Sequence, residues 1–327
     1  MLAMKNPVKS VDMVYPLAFD KISNEDGYYL GVKNSLRLTD EMETRLNQCS
    51  YYLHTRDKSS LGGRAIDIDL KNPITGLPMT GSSSGTAINV FLGINDIGMG
   101  TDGGGSVLAP AISLNLFSLI DPVLFREERK REKEKISTDG ISFMPSIGFI
   151  SKNLKLVQEL YLNLRGLESS NRETKILVDD EEICNLLKDE IVEVSSFEGK
   201  YDNERLALIE TTKRLLQEYD IIVSKEGPVD LKGFGDTVFG HFDDKTKEIQ
   251  VAANKGFLRI ANMANCFALT VPIGELSTAY VILCDSNNVF AIRKSFIIAE
   301  SLYRENDELS ERYFLNYENY FMNGYSN

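Results

Sequence analysis

The sequence predicts a layered α/β fold, with helices packed on the faces of a sheet. Three observations carry this expectation. Strand-like and helix-like segments alternate through the second half of the chain, and two of the strand-like segments, residues 220–224 and 279–283, are apolar runs of the kind buried on both faces. The third is size: 327 residues with 43% hydrophobic content can bury a full core.

Taken in order, the chain is polar and aromatic as far as Asn34. Residues 39–52 read as a helix, with Thr39 as its cap and Met42, Leu46 and Cys49 recurring at helical spacing. Residues 76–85 form a Gly/Pro-rich loop. Residues 87–93 then read as a buried helix and 97–100 as a short apolar strand. Residues 107–120 read as a second buried helix, in which Pro110 falls in the first turn, where its missing N–H has no partner to lose. Residues 126–135 alternate in charge sign, which describes a solvated helix face or an exposed connector. Helical periodicity returns at 154–164, a β-like segment at 174–178, and a strong amphipathic helix at 204–218 that leads into the apolar strand 220–224. Residues 257–264 look helical, 267–271 extended, 272–274 a turn, 279–283 a buried strand, and 289–303 end in a helix.

Composition narrows the function classes. The net charge is −12, and Lys and Arg are interleaved with acids, so no cationic surface for nucleic acid is expected. Cys49, Cys184, Cys266 and Cys284 are scattered without a CxxC pair, which fits a reducing compartment and supplies no disulfide framework or metal motif. Residues 1–10 lack the apolar core of a signal peptide and no long apolar run follows, so a cytoplasmic protein without membrane contact is expected.

Two serine-glycine segments carry the chemistry: Thr80-Gly81-Ser82-Ser83-Ser84-Gly85-Thr86-Ala87 and Gly100-Thr101-Asp102-Gly103-Gly104-Gly105-Ser106. Consecutive glycines let several backbone N–H groups converge beside the Ser106 hydroxyl, the geometry of an oxyanion hole next to a nucleophile. The helix and strand between the segments could return the chain so that Ser82 meets Ser106. Two other motifs are formally present. Gly98-Met99-Gly100-Thr101-Asp102-Gly103 satisfies the dinucleotide pattern, but its preceding strand is very short and no earlier unit completes a nucleotide-binding half. Gly81-Ser82-Ser83-Ser84-Gly85 satisfies the nucleophile-elbow pattern, but residues 72–80 contain two prolines where the elbow needs a buried strand. His54 and His241, the two histidines of the chain, read as surface or loop residues, so the base for a serine nucleophile is expected to be a lysine deprotonated by burial.

The stretch from Thr80 to Pro110, with Gly81-Ser82-Ser83, Gly85, Gly100-Thr101-Asp102, Gly104-Gly105-Ser106 and Ala109-Pro110, resembles the amidase signature family of serine hydrolases. Weaker likeness extends to residues 115–122, to 139–150, and to 260–274, which resembles that family's late Asn-x-x-x-x-Pro-x-x-x-Val-Pro-x-Gly segment. The resemblance implies a three-layer α/β/α architecture with a central mixed sheet. It implies one domain over residues 1–327, with a reduced N-terminal part (1–75) and the signature core at 76–122. By the same resemblance Ser106 is the nucleophile, Ser82 a bridging serine in a cis peptide, and Lys33, in Gly31-Val32-Lys33-Asn34, the base. Lys21, Lys58 and Lys71 are the alternatives, and the absence of any base is another. Gly103, Gly104 and Gly105 are then the oxyanion donors, with Asp102 organising the loop through backbone hydrogen bonds and Ser83 in support. Asn34 stands where the family carries Asp, and Ser84 where it carries Gly. No metal and no cofactor are implied.

The function so implied is hydrolysis or acyl transfer of an amide through an acyl-enzyme on Ser106, with a small-molecule or peptide amide as substrate and a homodimer as the possible assembly. An amidase-like binding or scaffold protein without turnover is the alternative, and a glutaminase-type amidotransferase subunit a further one. Substrate-pocket walls are expected from the N-terminal segment, residues 143–150 and the loop 227–244, where Phe234, Phe239 and Phe242 are candidates to line an apolar surface.

Overall fold

Alternation of side chains along the central strands sorts them onto two faces, and both faces are apolar. In the strand Ile221–Glu226, Ile221 and Val223 join one buried cluster while Ile222 joins the other. One cluster is covered by the helices Asp40–Gln48, Leu154–Arg165 and Val289–Leu302, which contribute Met42, Leu46, Val157, Leu160 and Phe296. The other is covered by Ser84–Phe91, Leu108–Ile112 and Arg205–Glu218, which contribute Ile88, Ile112 and Leu208. The result is three layers, helix, sheet and helix, as anticipated. The structure is a computed structural model and describes residues 2–6, 8–24, 26–167, 172–188, 190–202 and 204–314.

The strands in chain order are β1 (Val11–Val14), β2 (Tyr28–Lys33), β3 (Tyr51–Asp57), β4 (Ile66–Lys71), β5 (Pro78–Thr80), β6 (Ile97–Asp102), β7 (Phe117–Asp121), β8 (Lys135–Ile136), β9 (Ser142–Phe143), β10 (Ser146–Ser151), β11 (Lys175–Val178), β12 (Ile191–Val194), β13 (Ile221–Glu226), β14 (Cys266–Pro272) and β15 (Ala279–Asp285). Eleven of them form one sheet in the order β1-β3-β2-β6-β10-β7-β14-β15-β13-β11-β12, while β4 pairs with β5 and β8 with β9 in separate ribbons. The sheet is mixed: β2 runs parallel to β3 and β6, and β11 parallel to β12 and β13, whereas β10, β7, β14 and β15 pair antiparallel.

Three segments differ from the sequence expectation, each for a local reason. The helix expected over 39–52 is capped by Thr39, whose side chain accepts from Met42 N, but it stops at Gln48; Ser50 then takes φ 64° and Tyr51–Asp57 becomes a strand. The buried helix expected over 107–120 is only Leu108–Ile112, because Asn115 takes φ 52° and the apolar run beyond it pairs as β7. A continuous apolar run carries no period, so burial was legible there and conformation was not. The expected helix 257–264 is reduced to a single turn, Phe257–Arg259. The charged run 126–135, expected as a solvated helix face or an exposed connector, is a mostly exposed connector of turns that ends in β8, although Arg129 within it is buried, donating to Pro145 O at 2.7 Å. Among the described residues no helix is long and apolar enough to cross a membrane.

A buried polar network fastens the chain's first strands to the core. Asp57 Oδ1, at the end of β3, accepts from Thr55 Oγ1 and Asn89 Nδ2, each at 2.6 Å, and Ser10 Oγ donates to Asn89 Oδ1 at 2.5 Å. Burial pushes the Asp57 carboxyl up to about 7, against the lowering effect of those donors. A carboxyl whose folded pKa lies above its unfolded value of about 4 favours folding fully only below that lower value, and the advantage disappears as pH rises through about 7. The Asp57→Asn variant is therefore expected to lose less Tm than the parent when scanned from about pH 5 to about pH 8. Equal slopes would show that Asp57 does not titrate in that window. Glu226, pushed up to about 7 by burial, contributes a slope of the same sign in both proteins.

Candidate active site

Strand β6 delivers Asp102 to the edge of the core, and the chain then turns through Gly103-Gly104-Gly105 to Ser106 and the helix Leu108–Ile112. Its two glycines face one way and Ile97 and Met99 the other. A Cβ on Gly98 would lie 2.4 Å from Thr86 Cγ2, and one on Gly100 would lie 2.6 Å from Ser83 Oγ. The glycine pattern at 98–103 thus serves close packing of the sheet against the helix Ser84–Phe91, not a phosphate loop. That close approach is what joins the two serine-glycine segments: Ser83 N donates to Ser106 O at 3.0 Å.

The Gly81–Ser82 peptide is cis. Ser60 N donates to Ser82 O at 3.2 Å and Gly81 N to Ala65 O at 2.6 Å, so neighbouring backbone holds the segment on both sides. Lys33, the last residue of β2, lies 2.6 Å from Ser82 Oγ through its Nζ, with Thr101 O and Oγ1 each at 3.4 Å. Its side chain is buried, with 2% residual exposure. Burial brings its pKa down to about 7, helped by Lys135 and opposed by Asp102. Of the other lysines considered for this position, Lys21 and Lys71 are exposed; Lys21 stands over the Tyr52 ring. Asn34 accepts from Ser59 Oγ at 2.6 Å, and Ser84 Oγ donates to Asp67 Oδ2 at 2.5 Å, so each residue that departs from the family pattern has a partner of its own.

Asp102 is fully buried and ties the glycine loop down. Its Oδ1 accepts from Gly105 N at 2.6 Å, and its Oδ2 from Val107 N at 2.6 Å and Leu108 N at 3.2 Å. This is the loop-organising arrangement anticipated for it. One consequence is a correction: Gly105 was expected among the oxyanion donors, yet its N–H already points at Asp102. Among the described residues the N–H groups of Gly103, Gly104 and Ser106 have no hydrogen-bond partner, and they are the donors this loop offers. The half-buried Ser106 hydroxyl is not hydrogen-bonded to Ser82 in this conformation. Ser83 Oγ is buried without a partner, so Ser83 contributes through its backbone.

The ribbon β8–β9 lies over the loop; its second strand ends at Phe143, where a pocket wall was expected, while its first strand was not anticipated. Phe143 lies closest to Gly103: a Cβ there would meet its ring at 2.2 Å. Lys135 is near enough to bear on Lys33, and Asp139 at the ribbon's tip accepts from Arg205 Nε and Nη2 at 2.6 and 2.5 Å. From below, Asn262 Nδ2 donates to Met144 O at 3.1 Å and reaches Gly103 O at 3.5 Å. Asn262 is the asparagine of the late segment whose resemblance was noted, so a signal for it existed. For Arg205 there was none, since it is brought in by tertiary packing. On the loop 227–244, Asp236 Oδ2 accepts from Ala65 N at 2.9 Å beside the Ser82 segment, while Phe234 and Phe242 are 45% and 74% exposed. His54, expected at the surface, is part of β3 and half-buried, bonded to Asn95 Oδ1 at 2.8 Å; His241 is exposed.

Comparison with solved structures assigns this architecture to a known fold. A 6-aminohexanoate cyclic dimer hydrolase with bound substrate superposes with a TM-score of 0.66 at 11% identity, covering 94% of this chain and 93% of that one. The peptide amidase of Stenotrophomonas maltophilia gives 0.63 at 12% identity, covering 93% and 92%. The allophanate hydrolase of Kluyveromyces lactis gives 0.63 at 13% identity, covering 92% of this chain and 68% of that one. No family model matches the sequence, and no curated protein matches it. The fold is that of the amidases, reached at an identity where sequence alone carries little of the likeness.

Proposed function

We propose that this chain, built on the amidase fold, is a serine amide hydrolase in which Ser106 is the nucleophile, Ser82 the proton relay and Lys33 the base. The observation that carries the reading is a buried lysine amine 2.6 Å from Ser82 Oγ, in a segment hydrogen-bonded to Ser106 through its backbone. A lysine in water is protonated at neutral pH and cannot accept a proton; one brought down to about 7 is half free. The neighbours named as amidase and hydrolase support hydrolysis as the reaction class.

In the proposed cycle, substrate binding closes the Ser82–Ser106 contact, a tightening common between free and bound sites. Lys33 takes the Ser82 proton as Ser82 takes that of Ser106, and Ser106 Oγ adds to the amide carbonyl. The negative oxygen is held by the N–H groups of Gly103, Gly104 and Ser106; each such donor stabilises the transition state by about 2.7–4 kcal/mol. Collapse breaks the C–N bond, and the amine leaves with the proton returned through Ser82. Water, activated by the same relay, then releases the acid and frees Ser106. The substrate is a small-molecule or peptide amide, and a homodimer is the proposed assembly.

A fluorophosphonate tests the reading directly. The expected result is a single adduct by intact mass, on Ser106, absent in Ser106→Ala and slowed in Ser82→Ala. A folded protein that stays unlabelled would assign the chain to a binding role without turnover.

A further inference from the structure

Two arginines, Arg205 and Arg259, stand beside the glycine loop. Arg205, the first residue of the helix Arg205–Glu218, has Nη1 3.2 Å from the position a Gly104 Cβ would occupy. Its Nε and Nη2 are engaged by Asp139, and Nη2 also lies 3.3 Å from Thr138 Oγ1, but among the described residues Nη1 has no hydrogen-bond partner. The side chain is only 12% exposed, so this guanidinium is held in place with one pair of donors open beside the loop. Arg259 O stands 3.5 Å and Met263 Cε 3.9 Å from the same point, and Arg259 is close enough to Arg205 for their charges to oppose. Met263 is also a wall of a cavity of about 350 Å³, shared with Phe143 and Asn262 and lined by Arg126 and Lys130 against the single acid Glu134. Space and an open guanidinium edge therefore meet two residues from Ser106.

We infer that the substrate amide carries a carboxylate, and that Arg205 Nη1 anchors it beside Gly104 while the remainder of the acyl chain lies toward the Met263 cavity. This rests on the hydrolase reading for the word substrate, though not for the anion site itself. Asp139 fixes the plane of the guanidinium, so that the open edge is presented without loss of side-chain freedom on binding. A buried charge-assisted contact of this kind discriminates strongly against a ligand that lacks the acceptor, because the donors are then left unpaired.

Two probes of similar length decide it: succinamate, an amide with a carboxylate, and pentanamide, which is neutral. With Ser106→Ala protein in calorimetry, succinamate is expected to bind at least about tenfold more tightly. Arg205→Gln in the same background abolishes that preference and leaves pentanamide unchanged, whereas Asp139→Asn, which retains the cation but frees its plane, weakens the preference without abolishing it. Equal binding of the two probes overturns the inference, as does survival of the preference in Arg205→Gln. A preserved anion preference in a protein whose Ser106 resists fluorophosphonate supports the site while removing the hydrolase reading.

Discussion

Lys33→Met is expected to lower kcat/KM by about 10²–10⁴-fold, the span by which positioned acid–base groups accelerate proton transfer. In the parent protein the rate should rise with pH through about 7 and level off above it, since the active form of Lys33 is the neutral amine. The variant should lose that limb entirely. The fold should not suffer. A lysine whose folded pKa lies below its unfolded value of about 10.4 destabilises the protein by the full amount below pH 7, and the penalty fades only as pH rises toward the unfolded value. Methionine fills similar space without the buried charge, so Tm at neutral pH is expected to stay level or increase. The measurement is a pH–rate profile on any amide that the parent turns over, beside a thermal scan. A variant retaining activity within tenfold, or a parent profile flat across neutrality, would mean that the Lys33–Ser82 contact serves packing alone.

Asp102→Asn should produce the largest combined loss of stability and activity. The carboxylate accepts three buried N–H groups, from Gly105 and Val107 and Leu108, and an amide has only one oxygen to offer. Whichever way the asparagine is turned, its NH₂ faces at least one N–H donor, and the hydrogen bonds that remain lose their charge assistance. We expect about 2–4 kcal/mol less stability in urea unfolding. Activity should fall by about 10²-fold or more, because Ser106 and the free N–H groups of Gly103 and Gly104 are positioned by the same loop. The isosteric change removes no volume, so a cavity cannot account for the result. Unchanged stability would show that the loop is held by its packing, with Leu258 against Gly105, and not by Asp102.

Much of this site could be read before any coordinates. Ser82, Ser106, Asp102 and the glycines lie in two short segments whose spacing is itself the signal, whereas Lys33 was implied only by the family resemblance, with Lys21, Lys58 and Lys71 left open beside it. The strands β13, β14 and β15 and the helices 205–218 and 289–302 were legible because their apolar residues either recur at a helical period or form strand-length runs beside turn residues. Residues 107–120 were misread because a segment buried on nearly all sides has no polar face to reveal its period. The proposed oxyanion donors were half legible: glycines signal that N–H groups converge, but which N–H turns inward to Asp102 depends on φ and ψ at each one.

By itself, then, the sequence determined the chemistry available: two hydroxyls, a lysine and a glycine loop, since these depend on residue type and short-range spacing. Tertiary structure decided the rest. Whether the lysine can be neutral depends on burial by distant chain, and which cations surround the loop depends on a ribbon and a helix start that meet it only when the sheet is assembled. Solvation and charge are properties of the neighbourhood in space, and the order of residues along a chain does not encode them locally.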